Sequence, residues 1–263
     1  MNGLALCAGI GGLELGLSLA IGGYKTVCYV EREAYAAATL VARMEDEALD
    51  RAPIWDDLTT FDGRPWRGVV DIVTAGFPCQ PFSNAGKRRG TTDERWLWDD
   101  IARILGEVRP RYVFLENVRG ILAPSQHDAL AAVLGTLAKL GYAAEWDLFS
   151  AAEVGAPHRR ERFFLLGHAN SERCNGIDPR VQQRGSLEAG AETEWAGPQS
   201  CWPPGPGCGP EDWPEGEPQP AVRREADGLS AELVDRADRL RCLGNGVVPL
   251  VAAYAFSVLS SRI

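Results

Sequence analysis

Short apolar runs alternate along the chain with longer stretches whose apolar residues recur every three to four positions. The runs at 4–8, 26–30, 70–75, 112–116, 143–149 and 162–167 predict strands. Between or before them, "GLELGLSLAIGG", "EREAYAAATLVARMEDEA", "LWDDIARILGEV" and "HDALAAVLGTLAKLG" predict helices. Strand alternating with helix is the pattern of an α/β protein with a doubly wound, mostly parallel, Rossmann-like sheet. In such sheets ligands gather outside the carboxyl ends of the strands, which is where the chemically unusual residues fall.

The pattern breaks after Gly167. From about 168 to 222 the chain is rich in Gly, Pro, Glu and Trp and has little apolar periodicity, as in "ETEWAGPQSCWPPGPGCGPEDWPEGEPQP". Such a composition predicts a small irregular insert, and Trp195, Trp202 and Trp213 are out of place in a tail that binds nothing. "NGVVPLVAAYAFSVLSS" then predicts a last helix, with Asn245 placed to cap it, too apolar to be a free end and so packed back on the sheet. The expected organisation is a main unit over 1–167, an insert over 168–235 and a closing segment over 236–263.

Composition narrows the setting. A chain of 263 residues suits one large core with a modest appendage. No run of about 18 apolar residues occurs and the start "MNGLALCAGIGG" has no basic-then-apolar order, so a soluble, cytoplasmic protein is expected. Seven scattered cysteines fit free thiols in a reducing compartment better than a disulfide framework. A net charge of -9 excludes a general basic coat for nucleic acid but leaves room for a local groove, because Lys87, Arg88 and Arg89 cluster, as do Arg159, Arg160 and Arg162.

Several strand ends carry candidate chemistry. Gly9, Gly11 and Gly12 lie between a strand and a helix, where glycine lets backbone approach a ligand; Glu31, ending the next strand, can accept from ribose hydroxyls, and together they suggest an adenosyl cofactor. Asp56 and Asp57 lie at the tip of the following short strand, where an acceptor can read an adenine amino group or simply cap a turn; Asp57, ahead of Leu58, is the better placed. In "GFPCQPF", Pro78 and Pro81 bracket Cys79 and Gln80, stiffening the turn so that the thiol is held in one direction. A thiolate there is a nucleophile, and nearby cations would favour it. Glu116, in "YVFLENV", can have a raised pKa and donate a proton to a ring nitrogen, although Glu or Asn at such a place is also an ordinary cap. In "APHRRERFFLLG", strand alternation would send Arg160 and Arg162 to one face, able to bind a base carbonyl or a phosphate, against an alternative of surface salt bridges.

Taken in order, "CAGIGG", "YVERE", "WDDL", "GFPCQPFS", "LWDDIARIL…RPRYVFLENV", "APHRRERFFLLG" and "RLRCLGNGVVP" resemble the motif series of the DNA (cytosine-5) methyltransferases, over 1–167 and about 236–263. The size and ending are further similar to the small phage and prophage members. The resemblance implies an S-adenosyl-L-methionine-dependent fold with 168–235 as target-recognition region. It implies Cys79 as nucleophile, Glu116 as the acid on the cytosine ring, Arg162 as the arginine on the same base and Arg160 as support for that strand. It places the cofactor among Cys7, Gly9, Ile10, Gly11, Gly12, Glu31, Asp57, Leu58, Pro78, Leu97, Asn245 and Val247. Residues 81–96 correspond to the loop that closes over DNA, with Gln80 or Ser83 filling the gap left by a flipped base and Lys87, Arg88 and Arg89 meeting phosphates. Double-stranded DNA is the implied partner, a monomer the default state, and a cognate restriction endonuclease a partner the resemblance allows. No membrane and no metal are implied: His168, Cys174, Cys201 and Cys208 lack the close ligand pairs of a zinc site. Cys7 stands where the family commonly has phenylalanine, His158 where glutamine is usual, and Gly246 where serine or alanine is common. Three rival readings are a silent DNA-binding homologue, disfavoured by an intact Cys79, Glu116 and Arg162, a dinucleotide oxidoreductase, which leaves the Pro-Cys-Gln turn unexplained, and an enzyme that acts on RNA or transfers a modified methyl group, of which the sequence gives no positive sign.

Overall fold

The computed structural model of the chain describes residues 1–77, 97–123, 126–169 and 236–263. Its strands are β1 (Asn2–Leu6), β2 (Lys25–Val30), β3 (Ile54–Trp55), β4 (Ile72–Gly76), β5 (Tyr112–Val118), β6 (Tyr142–Phe149) and β7 (Arg162–Ala169), joined in one sheet of order β3-β2-β1-β4-β5-β7-β6. Neighbours from β3 to β5 pair in parallel, and β7 runs antiparallel to both β5 and β6. The winding changes direction between β1 and β4, which opens a crevice at their carboxyl ends. All six expected strands are present, with shifted ends. β1 stops at Leu6 rather than residue 8 because Cys7 takes a left-handed φ of 49°, which no strand continues through, and β7 runs two residues further than expected.

Alternation along each strand builds two cores. Leu4, Leu6, Val73, Ala75, Val113 and Leu115 pack with the apolar side of α3 (Trp98–Val108) and α4 (His127–Leu140). Ile72, Phe114, Phe164 and Leu166 pack with α1 (Gly12–Ala20) and the last helix on the opposite face. A smaller cluster sets Tyr29 and Ala5 against Leu40 and Met44 of α2 (Ala34–Glu45). Successive side chains of each strand enter opposite cores, which is why a sheet covered on both sides needs the near-continuous apolar runs seen in the sequence.

The chain after the insert returns as two helices, not one: α5 (Arg236–Asn245) and α6 (Pro249–Ser260). Asn245 therefore ends α5 and does not cap α6. The N-cap of α6 is Val248, extended and without a side-chain bond, and Pro249 fixes the first turn. As expected, α6 packs back on the core, with Val251, Ala252, Ala255, Phe256 and Leu259 buried. The stretch Arg241–Ser260 has the length and apolarity of a membrane span, but the break at 246–248 and this burial explain its composition by core packing. Helix α1 lies so close to the α6 segment that a Cβ on Gly12 would come within 2.4 Å of the Val247 carbonyl oxygen, and one on Gly16 within 2.6 Å of the Ala252 Cβ.

Candidate active site

Three strands bring the first group of residues together at the open end of the sheet. Glu116 on β5 is opposite Gly76 on β4, where a Cβ would stand in ordinary van der Waals contact with Oε2, 3.5 Å away. On the other side Val118 of β5 pairs with Arg162, the first residue of β7. Arg162 Nε lies 3.0 Å from Glu116 Oε1, and its Nη1 donates to the Glu161 carbonyl at 3.1 Å. Glu116 is 6% exposed. Burial pushes its carboxyl up to about 7, although Arg162 and then Arg160 favour the charged form. The result is an acid able to hold or give up a proton near neutral pH, paired with a guanidinium.

Asn117 is the residue whose role the sequence understated. It is buried, its Nδ2 donates to the Phe77 carbonyl at 3.0 Å, and its Oδ1 accepts from the Val118 N–H at 2.8 Å. The side chain fixes the point where the chain leaves β4, two residues before Cys79. Phe77 is itself anchored on Trp98 of α3, ring centroids 5.5 Å apart. Pro78, Cys79, Gln80, Ser83, Lys87, Arg88 and Arg89 lie outside the described residues, as do Trp195, Trp202, Trp213 and nearly all of 168–235.

Arg160 corrects the alternation expected for the basic stretch. It precedes β7 and has a left-handed φ of 35°, so the strand's period begins only at Arg162. Its Nη2 donates to the carbonyls of Gly244 at 2.7 Å and Gly246 at 2.6 Å, with a longer contact of 3.3 Å to Leu243. Burial and then the charge of Arg162 lower its pKa.

The second group surrounds the glycine turn. Gly9 and Gly11 take positive φ of 56° and 78°, and a Cβ on Gly9 would meet nothing within 4 Å, so its face is open to the crevice. Gly11 instead is pressed against Leu49 and Gly12 against Val247; their missing side chains make room for protein. Arg43 donates to the Ile10 carbonyl and fixes the turn from α2. Glu31 accepts from the Gly9 N–H at 2.7 Å through Oε2 and from the Glu33 N–H at 2.8 Å through Oε1, which leaves each oxygen a further lone pair. Asp57 follows β3, and its Oδ1 accepts from the Thr59 N–H at 2.9 Å and hydroxyl at 2.8 Å; the first of these bonds most of all holds its carboxyl below the ordinary value. Arg103 of α3 donates to the carbonyls of Leu58, Thr59 and Phe61 and so pins that loop, a role its sequence position gave no sign of. Leu58 is buried and Leu97 half-buried at the start of α3. Cys7 is pushed up to about 12 by burial and then by Glu31, so its thiol stays neutral. Asn245 is exposed at the end of α5.

An open glycine face, a carboxylate with acceptor capacity to spare, a second carboxylate at Asp57 and apolar Leu58 and Leu97 fit an adenosyl ligand. Among the described residues no group of three or more His, Cys, Asp or Glu side chains could hold a metal ion.

This sheet, with its open turn at the switch point, is a Rossmann-like α/β fold of the S-adenosylmethionine-dependent methyltransferase kind. The family model for C-5 cytosine-specific DNA methylases matches residues 1–197, and the chain belongs to that family. It is 37% identical over 167 residues to the type II methyltransferase M.NgoMIV of Neisseria gonorrhoeae, covering 64% of this chain and 51% of the relative. It is 38% identical over 164 residues to M.PspPI of Psychrobacter sp. (strain TA137), covering 62% and 38%. The matched part thus spans about half or less of these relatives. Among solved structures, the S. pombe Dnmt2 methyltransferase superposes with a TM-score of 0.51 at 23% identity, covering 65% of this chain and 51% of the other, a likeness that speaks to fold alone.

Proposed function

We propose that the chain methylates C5 of cytosine in double-stranded DNA through a covalent adduct at Cys79. The observation that carries this is the pairing of buried Glu116 with half-buried Arg162, one strand from the exit of β4 that Asn117 fixes. C5 of cytosine is a poor nucleophile within a stacked base. The base is first turned out of the duplex, which costs a few kcal/mol. The Cys79 sulfur then adds to C6 while Glu116 gives a proton to N3 and Arg162 donates to O2, so that electron density moves to C5. S-Adenosylmethionine, when bound, supplies the electrophilic methyl group that C5 takes. Loss of the C5 proton to solvent, departure of the Cys79 sulfur from C6 as thiolate and return of the N3 proton to Glu116 restore the aromatic ring, with S-adenosylhomocysteine as the other product.

Gly9, Glu31, Asp57, Leu58 and Leu97 hold the cofactor, with Cys7, Ile10, Gly11, Gly12, Pro78, Asn245 and Val247 framing it. Gln80, Ser83, Lys87, Arg88 and Arg89 meet the DNA, and 168–235 reads its sequence. The protein works in the cytoplasm as a monomer, alone or beside a restriction endonuclease.

Bisulfite sequencing of plasmid DNA from a methylation-free bacterial host expressing the chain tests this. Protected cytosines in one recurring short context, absent with Cys79→Ser, are expected. Full conversion in both cultures, with soluble protein in each, would refute the reading.

A further inference from the structure

We infer that Arg160 is a positioning residue that sets how tightly the chain holds its adenosyl ligand, acting from the base side of the sheet through the backbone of 243–246. The inference rests on the cofactor site proposed above.

The two short bonds from Arg160 Nη2 go to the carbonyls of Gly244 and Gly246, on either side of Asn245. One nitrogen thereby uses both its hydrogens to fix the peptide units around a single residue. The same loop is tied to the glycine turn. The Val247 carbonyl oxygen fills the space over Gly12, and a Cβ on Gly246 would sit 3.1 Å from Ile10 Cδ1 and 2.9 Å from the Cys242 carbonyl oxygen. There is no slack between Arg160, the 243–246 backbone and the turn that bears Gly9.

The arrangement is kept against a cost. Arg160 holds a left-handed φ of 35°, uncommon for a residue with a long side chain, and its Nε is buried without an acceptor. Strain of this kind persists where the surrounding structure over-determines it. Arg160 is also near enough to Glu116 and Arg162 to affect, and be affected by, their charges. It therefore links the wall of the cofactor crevice to the strand that bears the base-binding arginine, across the 66 residues of 170–235 that separate β7 from α5 in sequence.

Removing the guanidinium frees two carbonyls that no other side chain among the described residues engages, and the loop loses its hold on Ile10 and Gly12. Lysine, a compact ammonium, would recover part of the effect because it can reach a carbonyl but cannot reproduce the planar fork.

The test is calorimetric titration of S-adenosylhomocysteine into the wild-type chain, Arg160→Ala, Arg160→Lys and Arg162→Ala, without DNA, with thermal melting of each. Arg160→Ala is expected to bind about tenfold or more weakly, Arg160→Lys in between, and Arg162→Ala within about twofold of wild type. In steady-state assays Arg160→Ala should raise KM for S-adenosylmethionine while KM for DNA changes little. Wild-type affinity in a folded Arg160→Ala overturns the inference. If that variant does not fold, Arg160→Lys carries the test, and wild-type affinity there overturns it equally. A wild-type chain that binds no S-adenosylhomocysteine overturns this inference and the proposed cofactor site together.

Discussion

The two halves of the crevice are built from different materials. Around the glycine turn the work is done by backbone: left-handed φ at Cys7, Gly9 and Gly11, an N–H given to Glu31, and carbonyls pinned by Arg43 and Arg103. At the β4–β5–β7 end it is done by charged side chains, buried Glu116 against half-buried Arg162. A backbone cradle suits a ligand held by shape and hydrogen bonds, because it changes little with pH. A buried acid beside a guanidinium suits proton traffic, because burial brings its pKa into the working range. On the function proposed above the difference separates holding from chemistry, and variants in the two halves should fail in different ways.

The largest effect belongs to the chemical half. Cys79→Ser should lower methyl transfer by about 10⁴-fold or more, as loss of a nucleophile does elsewhere, with S-adenosylhomocysteine binding retained in calorimetry. Loss of cofactor binding in that variant would erase the division between the halves. Glu116→Gln should cost about 10²- to 10³-fold in kcat, the range for a lost acid or polar stabiliser. It should also remove a limb from the pH profile. The proton-donating form of Glu116 is present below about 7 and disappears as pH rises through that value, so wild-type kcat/KM should fall on the alkaline side and the variant should not show that fall. An unchanged alkaline limb in Glu116→Gln would remove Glu116 from the proton transfer.

Glu31→Ala tests the holding half. Cofactor affinity should drop by about 10- to 100-fold, the worth of one or two hydrogen bonds to a charged group, with DNA affinity little altered in gel-shift titration. The reverse pattern would misplace the cofactor. A smaller effect comes from Glu14, buried in α1 beneath the turn, where its Oε1 accepts from the Thr74 hydroxyl at 2.7 Å and its Oε2 has no partner. Burial raises its carboxyl to about 7 against an ordinary 4.5. Its contribution to stability is then full below the unfolded value and lost as pH rises through the folded one. The loss amounts to about 3 kcal/mol at most, at 1.36 kcal/mol per unit. Denaturant titrations at pH 5 and pH 8 should therefore differ less for Glu14→Gln than for wild type; an equal difference would show that Glu14 titrates normally.

How much of this was legible in the sequence depends on how far apart the interacting groups lie along the chain. Strand and helix positions follow from local periodicity, and each of the six expected strands is present. Glu116 and Arg162 were readable because each stands at a strand end within a recognisable motif, and the sheet order then brings the two strands together. The hold of Asn117 on Phe77 spans 40 residues, and that of Arg160 on Gly246 spans 86. Nothing in either short segment announces its partner, because the meeting is made by sheet order and by the return of α5 and α6. Alternation does not reach Arg160 for a related reason: it assumes extended backbone, and the left-handed φ of Arg160 lies just outside the strand. The cap expected of Asn245 failed because Pro249 starts α6 later and the three residues between are not helical.

The central claim is the covalent step at Cys79. Duplex DNA in which cytosines at the methylated site carry fluorine at C5 tests it most directly, since fluorine cannot leave as the proton does and the adduct persists. Incubated with S-adenosylmethionine and this DNA, the chain should form a denaturation-resistant protein–DNA species whose peptide map puts the bond on Cys79, and Cys79→Ser should form none. Methylation of ordinary cytosine DNA with no such species on the fluorinated duplex, or a bond at another residue, would contradict the account.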